Sequence, residues 1–111
     1  MKKKFALSLL LAAALSSGSC QYVDVTKTGK EVFPATRADD VEILTVVPRD
    51  RSFTEIATIS TRDWDPGDTA KMHNALREKA APLGAQAVVL SNSGVNPNGW
   101  LWATGTAIRY K

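Results

Sequence analysis

Histidine and cysteine each occur once in the 111 residues, as His73 and Cys20. A single cysteine excludes intrachain disulfides, and a lone histidine leaves the usual metal sites without a second nitrogen or sulfur ligand. A Cys–His dyad is equally excluded, because Cys20 lies far from the region that carries His73. No Gly-rich phosphate loop, no Ser-His-Asp set and no paired-carboxylate arrangement stands out, so enzymatic chemistry lacks a constellation. Charge of one sign is lacking too. The chain has 14 Lys and Arg against 11 Asp and Glu, and Lys2, Lys3 and Lys4 carry the whole excess. From Cys20 onward the net charge is zero, which removes the electrostatic argument for nucleic acid. The longest apolar stretch, Phe5 to Leu15 (FALSLLLAAAL), has eleven residues, where a membrane span needs about 20.

What is present at the N-terminus reads as an export signal. Three lysines precede the short apolar run, and Ser16, Ser17, Gly18 and Ser19 follow it directly before Cys20. This pattern marks residues 1–19 as a lipoprotein signal peptide and the Cys20 thiol as the diacylglyceryl acceptor. The new amino terminus can take a third chain. Each buried methylene contributes about 0.8 kcal/mol, so two or more acyl chains hold stably. Ser17 and Ser19 also satisfy the small-x-small rule of ordinary signal cleavage, which would release a soluble periplasmic protein instead. Gln21 is not the Asp that favours inner-membrane retention in enteric lipoproteins, so the outer membrane is the expected site, with the domain facing the periplasm.

Residues 20–40 mix charge, Thr, Gly and Pro with no sustained period and read as the lipidated Cys followed by a flexible tether. Such a tether reaches roughly 25 Å. Within it, Val23, Val25 and Val32–Phe33 are compatible with a short strand. Residues 41–111 read as one small α+β domain. Val41 to Val47 (VEILTVV) is apolar on both faces and β-branched, as a buried strand would be. Phe53 to Ser60 forms a second strand. Asp65 and Pro66 fit an N-cap followed by Pro at the first helical position. Met72, Leu76, Ala80 and Leu83 then make one helical stripe, and Pro82 and Gly84 end the helix. Gln86 to Leu90 is a third strand, Ser91 to Gly99 a long loop, and Trp100 to Tyr110 the last strand. On that strand Leu101, Ala103, Gly105, Ala107 and Arg109 share a small-residue face that lets a helix approach closely. The expected order is β-β-α-β-β, one helix on a small mixed sheet.

Candidate sites are few. His73 falls at the edge of the helical stripe. Asp63, Asp65 and Asp68 invite a calcium reading, but the sixth and twelfth positions of that loop are Asp68 and Asn74, where the EF-hand needs Gly and Glu. Helix capping explains the cluster, and no metal or cofactor is expected. Trp64, Trp100 and Trp102 are many indoles for a domain this small. With Asn96 and Asn98, Trp100 and Trp102 frame the long loop and mark it as the expected recognition surface, since tryptophan is enriched at binding hot spots.

The segments VEILTVVPRDRSFTEIATIS, ALREKAAPLGAQAVVL and ATGTAIRY together resemble small bacterial envelope lipoproteins, the group that includes the Rcs stress sensor. The shared feature is a helix running into Ala80-Ala81-Pro82-Leu83-Gly84-Ala85-Gln86-Ala87-Val88-Val89, with Gly105-Thr106-Ala107 in the closing strand. The resemblance implies a non-enzymatic sensing or binding module linked to envelope stress, with an envelope protein as partner. The Rcs sensor carries disulfide cysteines that this chain lacks. The stretches IATIS, LGAQA and GTAIRYK also resemble periplasmic stress and biofilm proteins of the BhsA type, which are usually not lipidated. Small domains of this β-α-β-β kind also serve as oligomeric ligand- or metal-binding modules.

Overall fold

The computed structural model describes residues 22–111. Five strands and one α-helix follow in the order β1 (Tyr22–Lys27), β2 (Glu42–Leu44), β3 (Phe53–Trp64), α1 (Thr69–Ala80), β4 (Ala87–Val95) and β5 (Leu101–Tyr110). Short 3₁₀ turns occupy Ala38–Asp40 and Ala81–Leu83. The sheet order is β1-β3-β5-β4-β2, antiparallel except for the β2–β4 pair. The protein is therefore α+β, one helix layered on one face of a mixed five-stranded sheet.

The small-residue face of β5 meets the helix as its alternation implies. Leu76, Ala80 and Ala81 pack with Ala57, Ile59, Val88 and Ala107 in the main core. Gly105 sits where a Cβ would lie 2.7 Å from Val88 Cγ1 and 3.0 Å from the Val89 carbonyl oxygen, so a side chain there would push the neighbouring β4 strand aside. In β3, neighbours Ile56 and Ala57 both pack into the same helix-side core, although successive side chains of a regular strand face opposite ways. A bulge between Glu55 and Ala57 resolves this by turning both inward. The mixed faces of the sequence are the trace of that bulge.

The described fold already includes Tyr22, well before the expected boundary at Val41. The segment read as tether supplies β1, paired to β3 from Tyr22↔Arg62 to Lys27↔Ala57. Downstream, Phe33 packs against the core, and Thr36 N–H donates to the Ala81 carbonyl at 2.9 Å. The Thr36 hydroxyl also donates to the Ala85 carbonyl. The polarity that reads as a linker is that of an edge strand with one face half open to water.

Three further boundaries differ from expectation. Only Glu42–Leu44 of the VEILTVV run pairs, and Val46 and Val47 are 68% and 54% exposed. The pairing stops at Val89, just short of the bulge between Leu90 and Asn92 in β4. The helix begins three residues after Pro66. Asp65 accepts the Gly67 N–H on its carboxylate at 2.9 Å and the Asp68 N–H on its carbonyl at 2.8 Å. That closes a β-turn with Pro at its second position, and the N-cap passes to Asp68. Ser91–Val95 is not loop but the second half of β4, paired to β5. The helix end is as the sequence implies: Gly84 takes φ +91°, and Ala85 N–H reaches back to the Ala80 carbonyl.

Candidate functional site

The sheet face away from α1 is the candidate surface, because among the described residues no element of regular structure covers it. Register places one rung across four strands: Tyr22, Arg62, Trp102 and Gly94. The Arg62 guanidinium lies 4.4 Å from the Tyr22 ring centroid, a cation–π distance. The Trp102 indole lies over Gly94, where a Cβ would come within 3.1 Å of ring atoms. Glycine there makes the bed for the indole. Beside this rung is a hollow of about 240 Å³ lined by Asp24, Ser60, Arg62, Asn96, Trp102 and Thr104.

The structure thus brings Asn96 and Trp102 together. Asn98 and Trp100 stand apart from the hollow, on the hairpin tip. There the Asn96 N–H donates to the Trp100 carbonyl, Gly99 N–H donates to the Asn96 carbonyl, and the Asn98 side chain accepts the Trp100 N–H at 3.4 Å. Trp100 is 38% exposed. The long-loop argument for this surface does not hold, since the tip is short. The aromatic argument remains. Trp64 is buried on the helix side with Met72 and Ala103. Its Nε1–H donates to Thr61 Oγ1 at 2.6 Å, and that hydroxyl donates to the Tyr22 carbonyl at 2.7 Å. A bulge after Arg62, with Asp63 at φ +68°, turns Trp64 inward.

A second hollow on the same face escaped the sequence reading. It measures about 380 Å³ and is lined by Val47, Phe53, Val89 and Ile108 with Thr45, Glu55, Ser91 and Thr106. Ile108 and Val89 are buried although α1 is on the other side; Leu44, Phe53 and Tyr110 cover them. The Arg51 guanidinium caps Tyr110 at 3.6 Å. The signal was present in Ala87–Leu90, apolar at every position. Such a run needs cover on both faces.

The remaining candidates are scattered. His73 is half-buried at the helix edge, where burial and then the Arg77 charge lower its pKa below the ordinary value. Asp63 pairs with Arg62 at 3.7 Å and Asp68 with Lys71 at 3.9 Å, while Asp65 serves the turn. Among the described residues no group of three or more His, Cys, Asp or Glu is placed to hold a metal ion. Melting in calcium, in zinc and in chelator should give one midpoint. A site filled at a hundred times its dissociation constant would add about 2.7 kcal/mol. A rise of several degrees that vanishes in Asp65→Ala, with apo stability intact, would establish an ion site in this turn. Cys20 lies outside the described residues.

No family model and no curated protein matches the sequence. A solved structure does: the crystal structure of a Francisella virulence factor, FvfA, superposes with a TM-score of 0.58 at 15% identity, spanning 78% of this chain and 96% of that one. At that identity the likeness is one of fold.

Proposed function

We propose that this chain is a non-enzymatic lipoprotein of the bacterial cell envelope, anchored through Cys20 to the outer membrane and facing the periplasm. Its helix-free sheet face is the binding or sensing surface, with an envelope protein as partner. The observation that carries the reading is the sequence KKKFALSLLLAAALSSGSC, a charged start, an apolar run too short to span, and small residues before the sole cysteine. The resemblance to envelope lipoproteins supports a stress-related role. The open face supports a binding role, because it offers aromatic and apolar surface.

Cys20→Ala is expected to move the protein from the membrane fraction to the soluble periplasmic fraction, and mass spectrometry of the wild-type N-terminal peptide should find acyl chains on Cys20. Wild-type protein that fractionates as soluble, with an unmodified thiol or a cut elsewhere, would return the chain to the soluble periplasmic class. A second reading is favoured by the hollow beside Phe53 and Ile108. Its volume of about 380 Å³ lies within the range of small-molecule sites, roughly 300–1,000 Å³, and its lining suits a small apolar ligand.

A further inference from the structure

We propose that the end of the sheet bearing Tyr22 and Trp100 rests in the headgroup layer of the membrane that holds the lipid anchor. This inference builds on the acylation of Cys20 proposed above. It arises from where the chain enters the sheet. Tyr22, only two residues past Cys20, is already paired with Arg62. Two residues span at most about 7 Å, and the headgroup zone is on the order of 5–8 Å deep on each side of the bilayer. An acylated Cys20 therefore leaves the start of β1 no distance at which to clear the membrane.

The same end carries the hairpin tip. Arg62 on β3 opposes Trp102 at the start of β5, and Trp102 opposes Gly94 near the end of β4. Asn96, Asn98, Gly99 and Trp100 lie beyond that rung, on the side from which β1 arrives. Tyr22 is 51% and Trp100 38% exposed, so both rings offer apolar surface at this end. Tyrosine and tryptophan are the side chains that favour the membrane–water boundary, where an apolar ring and a polar edge are both satisfied. Arg62, stacked on Tyr22, adds N–H donors that a lipid phosphate can accept. Charge does not drive the contact, because Asp24 lines the hollow beside Arg62 and Asp63 pairs with Arg62 at 3.7 Å. The contact is aromatic, and it takes a zwitterionic surface as readily as an anionic one.

The test uses the full-length lipidated protein, reconstituted in phosphatidylethanolamine vesicles with a minor share of phosphatidylglycerol. The vesicles are doped with phosphatidylcholine spin-labelled near the headgroup. The wild type should lose emission on the order of one indole among its three, equally at low and high salt. Most of that quenching should vanish in Trp100→Ala and persist in Trp64→Phe. In the wild type, amide exchange at Gly99 and Trp100 should slow on vesicles relative to the soluble Cys20→Ala protein. Intact mass on the same sample reports the acyl chains. Acylated, vesicle-bound protein without quenching or slowed exchange overturns the inference, leaves the anchor standing and gives the aromatic end to a protein partner. Quenching unchanged in Trp100→Ala overturns it as well. A wild-type Cys20 without acyl mass overturns anchor and inference together.

Discussion

Leu76→Ala is expected to lower the free energy of unfolding by about 2–5 kcal/mol. Leu76 has no exposed surface and sits at the centre of the helix–sheet contact. Its neighbours Ala57, Ala80, Ala81 and Ala107 are too small to swing into the space it vacates. Residual cavity volume, rather than the lost transfer energy alone, should then set the cost. A domain of this size holds about 5–15 kcal/mol in all, so the urea midpoint should fall far. Lys79→Ala, one helical turn from Leu76 on the wet face, should leave the midpoint nearly unchanged. Similar losses at both positions would place the wrong helix face on the sheet.

Gly84→Ala should be the second costly change, and three glycines together separate its causes. Gly84 has φ +91°, and a Cβ there would lie 2.5 Å from Phe33 Cβ and 2.8 Å from the Pro34 carbonyl oxygen. Gly99 has φ +89° with nothing within 4 Å, and Gly29 meets nothing and needs no positive φ. Left-handed backbone costs a non-glycine residue roughly 1–2 kcal/mol. Gly99→Ala should show that cost alone, Gly29→Ala almost none, and Gly84→Ala the strain plus a clash with backbone. The clash must lift the Phe33–Thr36 segment from the helix end. Exchange of the Thr36 amide, bonded to the Ala81 carbonyl, should therefore accelerate in Gly84→Ala and stay slow in Gly99→Ala. Equal costs at Gly84 and Gly99 would mean that the segment is not docked.

The parts legible in the sequence are those whose cause is local. Met72, Leu76 and Ala80 repeat with the helical period and are the buried residues of α1. Pro82 and Gly84 end the helix through their own backbone limits. The alternation of Ala103, Gly105 and Ala107 marks the face on which the helix lies. What escaped depends on partners far along the chain. β1 looks like a linker because an edge strand buries little: Val23 packs inward, while Val25 stays 38% exposed. The Val41–Val47 run looks like a long strand, but only Glu42–Leu44 finds a partner, opposite Ala87–Val89 of β4. The candidate surface divides the same way. Trp100 and Trp102 are conspicuous in composition, but Tyr22 and Arg62 join them only through register across β1, β3 and β5. The hollow beside Phe53 needs the fold back of residues 45–52, which no periodicity announces.

The strand order has a consequence for the order of events during synthesis. β5 is fifth in the chain and third in the sheet, and both of its neighbours precede it. β1 and β2, made first, occupy the two outer edges. Until Leu101–Tyr110 has been polymerised, β3 and β4 have no common partner, and Leu76 has no Ala107 to pack on. Apart from the β4–β5 hairpin, the sheet's pairing is between distant parts of the chain, and such closures are slow because loop entropy is lost before contacts form. The incomplete polypeptide therefore cannot close its sheet until its central strand is supplied. If the chain is exported as proposed above, that late closure suits passage through a narrow translocation channel.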